Sequence, residues 1–439
     1  MSLKQPTSNL SNGSSNLLCE IRKDYNTGWM HGDIKGAFLS DTDTTNVTGT
    51  ELVPNSDFSS NTEWTLGAGY TISGGLLNDG SSSSGDSVTS SNFNLETGKY
   101  IFSYQADGSG GQPTMYVKRA SDDVVITTLQ VSSNPFDGVM SKTFSVSTAG
   151  NHYISLSGTA FVGTYDYVSV RLAEEDRSVN NNGLQVFGTI TKSAVATGAE
   201  LVAYSGWSAN NYFKQPYNAD MNFGTNDFSI ILWCKSTGNG VQQTFISNLQ
   251  GTGSDGYYLM RYNDSGNWYF GTATGGSGLY TDLTKGSLID GVWHCLCITK
   301  SGGYVNLYQD GRHILYDDVK SDVTVSTSTE LKFSRFTDSN NLPLNGSMAL
   351  VRISGSIPSP EQIKKIYEDE KVLFQDNAAC TLYGSSDAVT ALAYDDSTNL
   401  LYAGTSSGRS DFQGLRRINN TTTAVTTAIS ASNGLVAEQ

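Results

Sequence analysis

Tyr100-Ile101-Phe102-Ser103-Tyr104, Met115-Tyr116-Val117-Lys118, Val124-Val125-Ile126-Thr127-Thr128-Leu129 and Tyr153-Ile154-Ser155-Leu156 are short runs in which apolar and polar residues interchange. A strand turns successive side chains to opposite faces, so this pattern predicts strands with one face buried. Clusters of Gly, Ser, Asn and Asp separate the runs at the spacing of a β-sandwich. Tyr167-Val168-Ser169-Val170-Arg171-Leu172 reads as the last strand of that unit. The rest of the chain has the same texture, with 46 Gly, only 8 Pro and 16% charged residues in 439. Thr, Val, Tyr and Phe between turn-forming residues predict an all-β protein.

Charge narrows the function. Lys and Arg number 27 against 42 Asp and Glu, a formal charge of −15, which a phosphate backbone repels, so nucleic acid is excluded as the main partner. No run of 18 apolar residues exists, and membrane insertion is not expected. Met1-Ser2-Leu3-Lys4-Gln5-Pro6 carries no apolar signal-peptide region. The five cysteines (Cys19, Cys234, Cys295, Cys297, Cys380) are scattered and odd in number. They predict folding in a reducing compartment rather than a disulfide framework. Four histidines argue against a multi-His metal centre.

Composition shifts divide the chain into five parts. Residues 1–50 read as an N-terminal attachment arm that orders against another subunit or partner, or else as a partly disordered tail. Residues 51–173 form the first sandwich. Residues 174–202 are a linker and lead-in, with Glu174-Glu175-Asp176-Arg177 and Asn180-Asn181-Asn182 read as solvated. Residues 203–374 form the second sandwich, with one helix beginning at Pro360; Ser359 is its N-cap, and Ile363, Ile366 and Tyr367 share a face. Residues 375–439 hold two strands, Val389–Tyr394 and Leu400–Thr405, that look like the start of a propeller blade. One blade cannot bury both faces, so either the natural chain continues or these strands pair with another subunit. An echo links the parts: Thr48-Gly49-Thr50-Glu51-Leu52-Val53 returns as Thr197-Gly198-Ala199-Glu200-Leu201-Val202, a duplicated junction rather than a solenoid.

The second sandwich resembles the laminin-G-like, concanavalin A-type jelly rolls. Four pieces stand in that family's order: Phe228-Ser229-Ile230-Ile231-Leu232-Trp233, Trp293-His294-Cys295-Leu296-Cys297-Ile298, Tyr308-Gln309-Asp310-Gly311, and Gly346–Ile353 followed by the helix. The first sandwich resembles a carbohydrate-binding module, from Glu51–Phe58 leading to Trp64 and from the closing Tyr165–Val170. Gly32-Asp33-Ile34-Lys35-Gly36-Ala37-Phe38 before paired jelly rolls, without a secretion signal, resembles structural proteins of tailed bacteriophages. That resemblance implies a virion protein made in the host cytoplasm. It would act as a tail fibre or surface adhesin with weak multivalent contact to host surface polysaccharide. Its partners would be other tail or capsid proteins and copies of itself, a trimer being favoured. A purely architectural tail-nozzle or capsid-decorating part is the alternative, and a polysaccharide depolymerase a third.

Catalysis is not expected. Glucanases of this fold class place acidic residues at alternate positions of one strand, which is absent here. Glu368-Asp369-Glu370 are consecutive at a helix end and read as solvated. Cys295 and Cys297, two apart on a strand with Trp293, read as core, and His294 as structural. No cofactor is required, although the resemblance allows one calcium ion, with Asp255, Asp264, Asp282 and Asp338 as candidate ligands in Gly/Ser/Asn-rich loops. Sugar stacking would use aromatic faces. Candidates are Trp268, Tyr280, Tyr257 and Tyr262 in the second sandwich, and Trp64 and Tyr165 in the first, where Tyr70 and Tyr167 belong to the same aromatic set.

Overall fold

The structure is a computed structural model that describes residues 33–80, 87–131, 136–157, 161–237, 241–249, 256–261, 268–274, 277–280, 288–302, 304–318, 330–337, 341–386, 388–425, 428–430 and 436–438. The fold is nearly all β, with two sandwiches in tandem and a smaller sheet after them.

In the first sandwich, one sheet runs in the order Phe136–Val146, Gly98–Gly110, Phe161–Glu174, Leu76–Asp79, Tyr70–Ser73. The other runs Val125–Gln130, Thr114–Arg119, Gly150–Ser157, Ser87–Ser90, Trp64–Thr65, with Phe93–Leu95 also on Gly150–Ser157. Alternation decides the core: Tyr100, Phe102 and Tyr104 meet Met115, Val117, Ile154 and Leu156 between the sheets.

The second sandwich packs one sheet, Arg312–Asp318, Tyr304–Gln309, Asp290–Ser301, Phe228–Thr237, Gly346–Ser354, onto another. That one is Ser277–Tyr280, Trp268–Thr274, Gly256–Arg261, Gln243–Ser247, Leu331–Phe333, Tyr212–Gln215. Three strands come from outside residues 203–374. Ile34–Phe38 pairs with Gly346–Ser354, and Leu184–Ala194 pairs with Tyr212–Gln215, Val202–Ser205 and Val47–Gly49. The described part of the expected arm therefore orders against its own chain, with Ala37, Phe38 and Leu39 buried. An unpaired edge of Gly346–Ser354 is the template that captures it.

The expected solvated linker is buried in part: Glu174 and Asp176 are buried, while Asn181 stays exposed. Asp176 accepts hydrogen bonds from the backbone N–H groups of Ala37, Ser178 and Asn182 and from the Ser178 hydroxyl. Tyr204 donates its hydroxyl to Glu174 Oε1 at 2.7 Å, and Glu175 pairs with Lys99 and Arg177. Polar side chains here tie both sandwiches and the 33–38 strand together, because each buried carboxylate finds donors.

The central strands of the second sandwich are apolar on both faces. Ile230, Leu232, Leu296 and Ile298 fill the space between the sheets. Ile231, Trp233, Cys295 and Cys297 face the other way, onto Ile363 and Ile366 of the helix Pro360–Glu370 and onto Leu201, Leu373 and Cys380. That helix starts with a capping box: Gln362 N–H donates to Ser359 Oγ, and Ser359 N–H to Gln362 Oε1. Its end departs from expectation, since Glu370 is fully buried. Glu370 holds Arg352 through two hydrogen bonds of 2.5 and 2.8 Å and accepts a third, 2.6 Å, from Trp233 Nε1.

Residues 389–421 form a four-stranded antiparallel meander, Val389–Asp395, Leu400–Thr405, Gly408–Gln413, Arg416–Thr421, in blade-like sequential order. The two echoed glutamates turn out to do the same chemical work. Glu51 accepts from Leu52, Val53 and Val170 N–H and the Ser169 hydroxyl, and pairs with Arg171. Glu200 accepts from Cys380 and Thr381 N–H and the Thr381 hydroxyl, and pairs with Arg417. One latches the first sandwich to its closing strand; the other latches the second sandwich to the C-terminal sheet.

Candidate functional site

Aromatic side chains singled out for sugar stacking divide sharply in the structure. Trp268 and Tyr165 are 0% exposed and Trp64 is 7% exposed. Trp268 faces the core between the sheets and donates its Nε1 hydrogen to Gln309 Oε1 at 3.1 Å; Trp64 donates to Asn55 O. Tyr165 packs against Tyr104 and Phe161. All three are corrected to core residues: their large apolar area is worth more buried, and the two indoles satisfy their polar handle inside. Tyr257 and Tyr280 lie on the strands Gly256–Arg261 and Ser277–Tyr280 flanking Trp268–Thr274, where the register sets Tyr280 opposite Gly271 and Tyr257 opposite Thr272. Tyr262 and the four calcium candidates, Asp255, Asp264, Asp282 and Asp338, lie outside the described residues. Among the described residues no group of three or more His, Cys, Asp or Glu could hold a metal ion.

His294 lies part-buried on the strand Asp290–Ser301. Its Nδ1 lies 2.7 Å from Asp310 Oδ2 and its Nε2 3.2 Å from Asp290 Oδ2. Asp310 also accepts the Cys295 N–H. Burial disfavours the imidazolium, but the bonds to and charges of Asp310 and Asp290 outweigh it and hold the pKa above the usual histidine value. The cluster fixes a turn to a strand, a structural role. Cys295 and Cys297 are buried thiols whose pKa is pushed up by desolvation, which makes them inert.

The open concavity with chemistry suited to a ligand lies on the first sandwich, at the end of the sheet containing Thr114–Arg119 and Gly150–Ser157. It is a shallow, open cleft of about 540 Å³ lined by Asn92, Arg119, Ser121, Asp122, Thr148 and Asn151 together with small residues. The hairpin turn after Thr114–Arg119 builds it. Asp123 takes the left-handed conformation (φ +56°) there and donates its N–H to Arg119 O. Ala120 N–H donates to Asn151 O, so the turn is stitched to the neighbouring strand. Arg119 then forms a fork with Asp122, Nε to Oδ1 and Nη2 to Oδ2, both 2.9 Å. The hydrogen bond from Arg119 lowers the Asp122 pKa.

Beside the cleft, the outward side of the sheet carries Tyr153, whose hydroxyl donates to Asp123 Oδ1 at 2.7 Å. Lys118 lies opposite Tyr153 in register and 5.6 Å from the centre of the Tyr116 ring. Burial, then the bond to and charge of Asp123, push the Tyr153 pKa up to about 12. The site combines a neutralised guanidinium–carboxylate fork, two amides, two hydroxyls and adjacent aromatic faces. Sequence reasoning missed it; the signal available was Arg119-Ala120-Ser121-Asp122-Asp123, opposite charges three apart across a turn.

Residues 207–364 match the concanavalin A-like lectin/glucanases superfamily. The second sandwich is a jelly roll similar to that superfamily over the matched residues. Comparison with curated proteins finds no match. Among solved structures, the chain is similar to the receptor-binding domain of botulinum neurotoxin C/D mosaic serotype (15% identity, TM-score 0.38), covering 55% of this chain and 59% of that one. It is also similar to the binding domain of Paraclostridial mosquitocidal protein 1 (13% identity, TM-score 0.38; 61% of this chain, 70% of that one). A third is domain 4 of an extracellular arabinanase from Geobacillus stearothermophilus in complex with arabinotriose (16% identity, TM-score 0.36; 44% of this chain, 92% of that one).

Proposed function

We propose that this chain is a non-catalytic saccharide-binding protein whose first sandwich takes a glycan at the Arg119–Asp122 cleft. The observation that carries the reading is the fork itself. A guanidinium already neutralised by its carboxylate presents donors on one edge and acceptors on the other, which suits vicinal hydroxyls of a neutral sugar. Asn92, Asn151, Ser121 and Thr148 add further donors and acceptors around it. Asp122 is the one carboxylate lining the cleft among the described residues, and a glycosidase needs two. The match of the second sandwich to a superfamily of lectins and glucanases supports a protein that engages sugars.

The setting we propose is the virion of a tailed phage, as a tail fibre or surface adhesin made in the host cytoplasm, and it rests on the sequence resemblance. Several copies, each with weak sites, would hold host polysaccharide through avidity. A glycan array probed with the assembled protein, beside Arg119→Ala, tests the binding. Retention of neutral glycans that falls about 10–100-fold in the variant is expected for loss of a charged hydrogen-bonding group. No retention at all refutes the reading and favours the architectural role. Antibody labelling of purified particles tests the location, and label absent from every part of the virion refutes it.

A further inference from the structure

We infer that Tyr167, with the carboxylates of Asp166 and Asp57, forms a second saccharide contact on the sheet of the first sandwich opposite the cleft, specific for neutral sugar rings. The inference rests on the reading that this sandwich binds glycans.

Alternation along Phe161–Glu174 turns Tyr165 into the core, so Tyr167 is due to follow it. The register breaks between Asp166 and Ser169, and Val168 and Val170 occupy the inward positions instead. Tyr167 is left 62% exposed, with its backbone in the left-handed region (φ +48°). For a bulky side chain this is a true outlier that Gly, Asn or Asp would adopt more readily. The bulge is held there from both sides. Val168 N–H donates to Ser56 O at 3.0 Å, and Tyr167 N–H donates to Asp166 Oδ1 at 2.8 Å.

Among the described residues the Tyr167 hydroxyl has no hydrogen-bond partner and its ring stacks on no other aromatic ring. At 62% exposed, the ring adds little buried apolar area to the fold. Leu39, Phe58 and Leu350 take the same conformation inside the core, whereas at Tyr167 the bulge re-aims the side chain to solvent. Asp166 precedes Tyr167 in the chain and accepts its N–H, and Asp57 follows Ser56, whose carbonyl accepts the Val168 N–H; the Asp57 charge adds to burial in raising the proton affinity of Asp166. A sugar ring can stack its C–H face on the phenol while its hydroxyls donate to these carboxylates. The same two charges, in a chain of net −15, repel uronic and sialic acids.

The test uses the full chain with cellohexaose, maltohexaose, xylohexaose, mannohexaose and arabinohexaose, and with hexagalacturonate as the acidic comparator. Affinities are measured by calorimetry for wild type, Tyr167→Asn, Tyr167→Trp and Arg119→Ala, with melting temperatures for each. Tyr167→Asn is expected to melt no lower than wild type and to bind the preferred neutral hexasaccharide at least about tenfold more weakly, which is 1.4 kcal/mol. Tyr167→Trp keeps the stacking face and binds as wild type or better. Unchanged affinity in Tyr167→Asn, a lowered melting temperature with it, or preference for hexagalacturonate overturns the inference. If Arg119→Ala still weakens binding while Tyr167→Asn does not, this inference alone falls; if wild type binds none of the six, both fall.

Discussion

Replacing Glu370 by Gln isolates the buried ion pair that locks the helix Pro360–Glu370 to the second sandwich. Glu370 is fully buried and the Arg352 side chain 6% exposed. Three hydrogen bonds converge on the carboxylate, two from Arg352 and one from Trp233. The amide keeps the volume but turns an N–H₂ toward the guanidinium and leaves Arg352 without a countercharge. Breaking a buried pair from one side costs about 3–5 kcal/mol. At ~2–4 °C per kcal/mol for a unit of this size, the second sandwich should melt roughly 6–20 °C lower. The assay is calorimetry combined with hydrogen exchange of the helix amides, which should open more readily by the same free energy. Arg352→Met combined with Glu370→Leu removes both charges and should recover most of the loss, as buried pairs replaced by apolar residues often do. A loss under about 1 kcal/mol in Glu370→Gln, or a double variant as unstable as the single one, would show that the pair carries no such weight.

Other outcomes follow from the same coordinates. Glu200→Gln should loosen the C-terminal sheet by about 1–3 kcal/mol, seen as faster hydrogen exchange over residues 378–421 with the sandwiches unchanged; uniform protection would sink the latch. The raised folded pKa of His294 means its stabilising contribution is full below about pH 6.5, the unfolded value, and is lost as pH rises through the folded value. Urea titrations from pH 6 to 9 should show that loss in wild type and not in His294→Gln, and parallel curves would refute it. Cys295 and Cys297, buried with raised pKa, should resist a thiol reagent at pH 8 until the chain unfolds; labelling of the native protein within minutes would contradict their burial.

Local features were legible. Tyr100, Phe102 and Tyr104 declared their common face by alternation, and Ser359 and Pro360 announced a helix start, to which the structure adds a capping box with Gln362. The candidate site was not legible in this way. Trp268 and Trp64 were read as sugar platforms because a tryptophan in a Gly-rich neighbourhood looks the same whether its indole meets solvent or a buried acceptor such as Gln309. Arg119 and Asp122 were passed over because a fork depends on the turn that brings them together. Tyr167 was read as a sugar-facing aromatic together with Tyr165, and only the bulge held by Ser56, more than a hundred residues earlier, turns the one outward and leaves the other in the core.

Backbone geometry makes the period of side chains a local property, so strands, turns and the capped helix could be read from residue order alone. Which face is covered, and by what, depends on segments distant in the chain. Glu370 is buried because Arg352 and Trp233 wait opposite it, Glu174 and Asp176 because Tyr204 and Ala37 supply donors, and Ile34–Phe38 because an open sheet edge accepts it. Burial free energy belongs to pairs of surfaces, and only the folded chain decides which surfaces meet.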